Sequence, residues 1–211
     1  MNYGQLPKDL GTFEVGCQEM MFYQYLPIKM PGETKLIYED CLKPFDALVG
    51  AACCDYVGDY GLDKYVDSYV YLTAKYLFQS PGCPFNRTGY HADGFLTDDV
   101  NYLWSDKYPT IFNNSIFNIS LDDTLSMKEM EDQAKEENEL TYDNNKLMRM
   151  DQFVIHKVGP VTEDGMRKFF KLSVSKDKYD LIGNAHNSLI DYKWEMRERS
   201  MTRNIPQAGV K

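Results

Sequence analysis

The sequence predicts a mainly β fold with helices flanking its sheet. Three observations point there. Short alternating apolar runs broken by polar loops fill the stretch from residue 84 to about 180. The helical signals come mostly earlier, so helices and strands do not alternate as they do in a parallel α/β chain. At 211 residues with 43% hydrophobic and 26% charged side chains, the chain supports one substantial core, and we read residues 1–211 as a single domain.

Taken in order, QEMMFYQYLP and TKLIYE within residues 18–40 read as strands on either side of a Pro-Gly turn. KPFDALVGAACC opens a helix after Pro44, with Cys53 and Cys54 as small core residues. Tyr65, Val66, Tyr69, Val70, Ala74 and Leu77 recur at helical spacing and predict an amphipathic helix over 61–79. Residues 1–80 are thus expected to flank a motif-bearing core over 84–180, followed by a C-terminal extension over 184–211. In that core GYHADGF and PTIFNNSIFNIS read as strands. SLDDTLSMKEMEDQAKEEN reads as a solvated helix, with seven acidic residues and two lysines between 121 and 138. KLMRMDQFVIHKV and MRKFFKLSVS read as two further strands. A double-stranded β-helix, the jelly-roll or cupin-like core, fits these strand lengths, and so does another barrel.

Composition narrows the function classes. The net charge of −9 disfavours a nucleic-acid duplex as partner, because phosphate contacts need cations. Residues 192–211 run against that trend at net +3, either a solvated extension or a docking arm. No apolar run approaches the roughly 20 residues of a membrane helix, and MNYGQLPKDLGTF has no signal-peptide pattern. A cytoplasmic protein with no membrane partner is the expectation. The five cysteines are odd in number and form no CxxC pair, which fits reduced thiols and supplies no zinc spacing.

The chemistry-bearing residues are few. Of three histidines, His91 and His156 fall in strand-like segments, while His186 sits in a polar loop, GNAHNSL. His91 and Asp93 are two apart, so an extended strand puts both side chains on one face about 7 Å apart. His156 follows 65 residues after His91, at the end of the apolar run FVIH. Two imidazoles and one carboxylate on one face of an ion leave three coordination positions open, the arrangement of non-haem iron(II) oxygenases.

On His91-Ala92-Asp93, the distant His156 and the basic strand MRKFFKLSVS, residues 84–180 resemble the Fe(II)/2-oxoglutarate-dependent dioxygenases, nearest to small prolyl-hydroxylase-like or phage-type members. The resemblance implies Fe(II), 2-oxoglutarate and O2 as cofactor and co-substrates. It implies hydroxylation of a C–H bond, since halogenating members lack the acid at the position of Asp93. It also implies a cation after the distal histidine for the far carboxylate of 2-oxoglutarate, because a buried carboxylate needs a counter-charge. Alternation places Arg167, Lys171 and Ser173 on one strand face. Arg167 has the usual residue type, whereas Lys171-Leu172-Ser173 has the usual x-Ser pattern, and the two stay open. Asn113 (with Asn114 and Asn118) and Tyr102 are candidates to bond the co-substrate. Arg87 and Tyr90 are candidates for the substrate mouth, Arg87 suiting an anionic group, and Trp104 is either a lid anchor or a packing residue. The expected substrate is a small molecule or peptidyl residue. A nucleobase-oxidising member and a non-catalytic cupin-like metal binder are the alternatives.

Overall fold

The computed structural model describes residues 2–83 and 86–199. It is mainly β, with two antiparallel sheets facing one another and helices on the outer side of each.

Ten strands build the sheets. In chain order they are β1 (Lys8–Thr12), β2 (Met21–Lys29), β3 (Tyr69–Gln79), β4 (His91–Ala92), β5 (Val100–Ser105), β6 (Ile111–Asn113), β7 (Glu139–Thr141), β8 (Lys146–Met150), β9 (Ile155–Lys157) and β10 (Gly165–Ser175). The large sheet runs β1-β8-β5-β10-β3-β2 and the small one β4-β9-β6-β7. From β3 onward the chain steps repeatedly between the sheets, so each strand pairs with one distant in sequence. This is the interleaved order of a double-stranded β-helix. β1 and β2 extend the large sheet at its two edges.

The large sheet is buried on both faces, and that explains its composition. Its outer face carries Leu72 and Ala74 of β3, Phe170 and Leu172 of β10, and Tyr102 and Trp104 of β5. These pack against helix α1 (Asp46–Tyr60) through Leu48, Val49, Ala52 and Tyr56. Phe45, just before α1, stacks on Phe170 at 6.0 Å. The inner face carries Leu103, Met148, Met150 and Phe169, which meet Phe112 and Val154 of the opposing layer. Outside the small sheet, Tyr90, Ala92 and Ile155 are covered by Met130 of helix α3 (Asp123–Gln133). Asp122 caps that helix, its carboxylate accepting from the amides of Thr124 and Leu125.

The main departure from the sequence reading lies at residues 61–79. Only a short helix, α2 (Leu62–Val66), forms there, and Tyr69 onward is the 11-residue strand β3. A strand buried on both faces loses its period-two alternation, and the surviving Tyr65, Val66, Tyr69 and Val70 spacing mimics a helix. β3 is thus a strand of the large sheet, between β10 and β2. β5 lies inside a stretch that read as loop. TKLIYE forms no strand, although the Ile37 amide donates to the Ile28 carbonyl. All five cysteines are free, and α1 turns Cys54 to solvent. No described helix is long and apolar enough to cross a membrane.

Candidate metal centre

Strand pairing builds the site. β4 and β9 are antiparallel with His91 directly opposite His156, and side chains opposite one another project to the same face. Their rings lie 4.5 Å apart between centroids. The chain then turns sharply. Gly94 has φ +70°, and a Cβ there would lie 2.7 Å from Asp99 Cβ, so only glycine allows the tight reversal after Asp93. That reversal keeps the Asp93 carboxylate beside the two imidazoles, with Oδ2 3.6 Å from His156 Nε2. His91, Asp93 and His156 each offer a ligand atom, and these atoms lie within 4.8 Å of one another.

The histidines are set up as ligands by their own backbone. His91 Nδ1 contacts the Gly89 carbonyl at 3.0 Å and His156 Nδ1 the Val154 carbonyl at 3.1 Å. A carbonyl is an acceptor only, so each Nδ1 carries the proton and each Nε2 presents its lone pair. Burial, and then the neighbouring His156, push His91 down to about 3, which keeps its imidazole neutral. Burial alone would raise the carboxyl of Asp93, but the Lys171 ammonium and His156 outweigh it and hold Asp93 well below the usual range. Lys171 Nζ donates to Asp93 Oδ2 at 2.7 Å. Two imidazoles and one ionised carboxylate fit a divalent first-row metal.

The triad opens into a cavity of about 780 Å³ between the sheets, large enough for a co-substrate and a small substrate together. Its cationic lining is Lys75, Arg87, Lys157, Lys171, Lys178, Arg197 and Arg199, against the carboxylates Asp93, Asp99 and Asp177. The chain as a whole is at −9, so positive charge is concentrated on this wall.

The other sequence-derived candidates divide by strand parity. Lys171 and Arg87 line the cavity. Arg167 lies on the same face of β10 as Lys171, but its guanidinium donates to the carbonyls of Lys107 at 2.8 Å and Tyr108 at 3.0 Å. Ser173 Oγ donates to Asn101 Oδ1. Tyr102 and Trp104 are on the outer, helix-packed face. The Tyr102 hydroxyl donates to Asp55 and the Trp104 indole to the Phe13 carbonyl, so neither reaches the cavity, and Trp104 is a packing residue. Asn113 and Tyr90 face the outer side of the small sheet, where the Asn113 amide donates to the Tyr90 hydroxyl and the Lys135 carbonyl. Tyr90 in turn donates to Glu139 at 2.5 Å. His186 is exposed and packs on Tyr192 at 4.8 Å.

Lys75 went unnoticed in the sequence because β3 read as helix. It is paired with Phe169 across β3 and β10 and is 8% exposed. Its Nζ lies 5.4 Å from the Phe22 ring centroid and 5.7 Å from that of Phe169, and it donates to Asn86 Oδ1 at 3.2 Å. Burial, then the like charges of Arg167 and Lys171, lower it to about 8. A lone lysine in the apolar run YLTAKYLF was the available signal.

No protein-family model matches the sequence, and no curated protein does. Among solved structures the chain is similar to EvdO2 from Micromonospora carbonacea var. aurantiaca. One crystal structure superposes with a TM-score of 0.39 at 13% identity over 64% of each chain, just under two thirds of EvdO2. A second, of EvdO2 complexed with 2-oxoglutarate, gives 0.41 at 12% identity over 81% of this chain and 83% of that one.

Proposed function

We propose that this chain is a non-haem iron(II) oxygenase that uses 2-oxoglutarate and O2 to hydroxylate a C–H bond of a small-molecule or peptidyl substrate. One observation carries the reading. His91, Asp93 and His156 converge on the wall of a jelly-roll cavity with both Nδ1 atoms occupied by backbone carbonyls, which leaves one donor atom per residue aimed at a common point. Iron held there supplies oxidative decarboxylation of the oxoacid coupled to oxidation of the substrate.

The residues of the chain have separable tasks in this reading. His91 and His156 are locked in the ligating tautomer and cost little reorganisation when the ion arrives. Asp93 supplies the anionic ligand. Lys171 keeps Asp93 ionised and oriented. The inner-wall cations then receive the far carboxylate of 2-oxoglutarate. Arg167 turns its guanidinium to the carbonyls of Lys107 and Tyr108 and is not part of the cavity lining, and Lys171 pairs with Asp93, so we assign the principal anchor to Lys75, which lines the cavity wall beside Lys171. The apolar residues Leu103 and Phe169 border the same cavity and limit access of bulk water.

Succinate release tests the proposal. Purified protein with Fe(II), ascorbate and 2-oxoglutarate is assayed against panels of amino acids, peptides, small anionic metabolites and oligonucleotides. Stimulation by a small molecule or peptide, lost in Asp93→Ala, is expected. Stimulation by oligonucleotides alone would shift the assignment to nucleobase oxidation, and no iron-dependent succinate under any condition would overturn it.

A further inference from the structure

The cavity has a second charged end, far in sequence from the metal ligands. After β10 the chain turns back across the cavity mouth as an irregular strap, and Lys178, Tyr179, Asn184 and Arg199 from it line the opening. The strap is pinned in place. Leu181 bridges to Arg197 in parallel fashion, the Ile182 amide donates to the Arg197 carbonyl, and the Arg197 amide donates to the Asp180 carbonyl. The Arg197 guanidinium grips both carboxylate oxygens of Asp180, so that cation is consumed in fixing the strap. Tyr179 is anchored from below. Its hydroxyl donates to buried Asp99 at 2.6 Å, and its ring stacks on Tyr71 at 4.1 Å.

The remaining cations of the strap are placed differently. Arg199 is held by neutral acceptors, the Ile182 carbonyl at 3.3 Å and Asn184 Oδ1 at 2.5 Å, which orient its fork without cancelling its charge. Lys178 lies over the Trp194 ring at 5.8 Å. Arg87 also lines the cavity. Oriented guanidinium and ammonium groups at the rim of a concave site are the chemistry that recognises a carboxylate or phosphate.

We propose that the strap forms a substrate subsite for an anionic group, a carboxylate or a phosphate, on a small molecule, with Arg199 and Lys178 as its principal partners. The inference rests on the oxygenase reading for the word substrate. The subsite itself needs no metal.

The test separates the two. Protein prepared without added metal is titrated with phenyl phosphate, benzoate and the neutral benzamide, followed by tryptophan fluorescence, since Trp194 adjoins Lys178 while Trp104 is buried in the core. Phenyl phosphate or benzoate is expected to bind at least tenfold more tightly than benzamide, and the tighter of the two identifies the favoured group. Arg199→Gln and Lys178→Gln are each expected to weaken that anion about fivefold to tenfold, with near-complete loss in the double variant. The titration uses no metal, so a failure of the metal reading would not disturb this result. Equal affinity for benzamide, or full affinity in the double variant, would overturn the proposal. So would a single-stranded oligonucleotide that displaces phenyl phosphate and binds a hundredfold more tightly, because the strap would then be a nucleic-acid contact.

Discussion

Replacing Lys75 with methionine separates co-substrate binding from folding more cleanly than any other change in the cavity. The ammonium is buried between two phenyl rings and beside the charges of Arg167 and Lys171. Removing the cation that faces a buried carboxylate leaves that carboxylate unpaired, at a cost of about 2–4 kcal/mol. The affinity for 2-oxoglutarate should therefore fall roughly thirty- to a thousandfold. Stability should move the other way or not at all. The folded-state pKa, about 8, lies below the ordinary 10.5 of lysine, so the unfolded chain binds the extra proton more readily at pH 8–10.5. Charged Lys75 is thus a net cost to the fold at neutral pH, and that cost diminishes as pH rises through this window. Methionine has a similar length and no charge, so the melting temperature should hold or rise. The assay is calorimetric titration of 2-oxoglutarate into the anaerobic iron-loaded protein, with Arg167→Met and Lys171→Met in parallel. A second readout is the pH profile. Binding the anion requires the ammonium form, so Kd should be flat below about pH 8 and rise up to tenfold per pH unit above it. Lys75→Arg, charged throughout, should flatten that rise. Unchanged affinity in Lys75→Met, beside a large loss in Arg167→Met, would refute the assignment and return the anchor to β10.

A divalent metal at a hundred times its dissociation constant should add about 2.7 kcal/mol to stability, raising the melting temperature by roughly 5–10 °C in a domain of this size; differential scanning fluorimetry should show the rise in wild type and none in His91→Ala. Tyr90→Phe removes a hydroxyl bonded to Glu139 and Asn113 on the outer side of the small sheet. It should cost about 1–2 kcal/mol in urea denaturation and leave 2-oxoglutarate affinity untouched. Phe170→Ala deletes a fully buried ring stacked on Phe45 and should cost about 3–5 kcal/mol by the same assay.

How much of this was legible in the sequence depended on what each segment buries. His91, Asp93 and His156 were readable because HxD on a strand fixes a shared face and the chain has few histidines. β10 was readable as a strand, and α1 and α3 as helices, because Pro44, the small-residue run and the acidic face are local signals. β3 was not, because Leu72 and Ala74 pack on α1 while the face with Thr73 and Lys75 also carries Tyr69, Tyr71 and Leu77, so the polar positions are too few to mark the alternation. β5 was hidden between Asp98-Asp99 and Ser105-Asp106, which look like loop. Without β5, the sequence does not show that Tyr102 and Trp104 face outward while Asn101 and Leu103 face the cavity. The sequence points to an anchor on β10 alone because the sheet order β10-β3, which puts Lys75 opposite Phe169, is a long-range fact. Residues 192–211 carry net +3 in the sequence, with 200–211 outside the described residues, and only tertiary structure shows that Arg197 and Arg199 border the cavity.

Anaerobic absorbance spectroscopy bears most directly on the metal site. Fe(II) and 2-oxoglutarate added together to the wild-type protein should give a weak visible charge-transfer band that neither gives alone, and His156→Ala should abolish it. A wild-type protein that develops no band at saturating iron and oxoacid, or a His156→Ala protein that keeps it, would contradict chelation at these three residues.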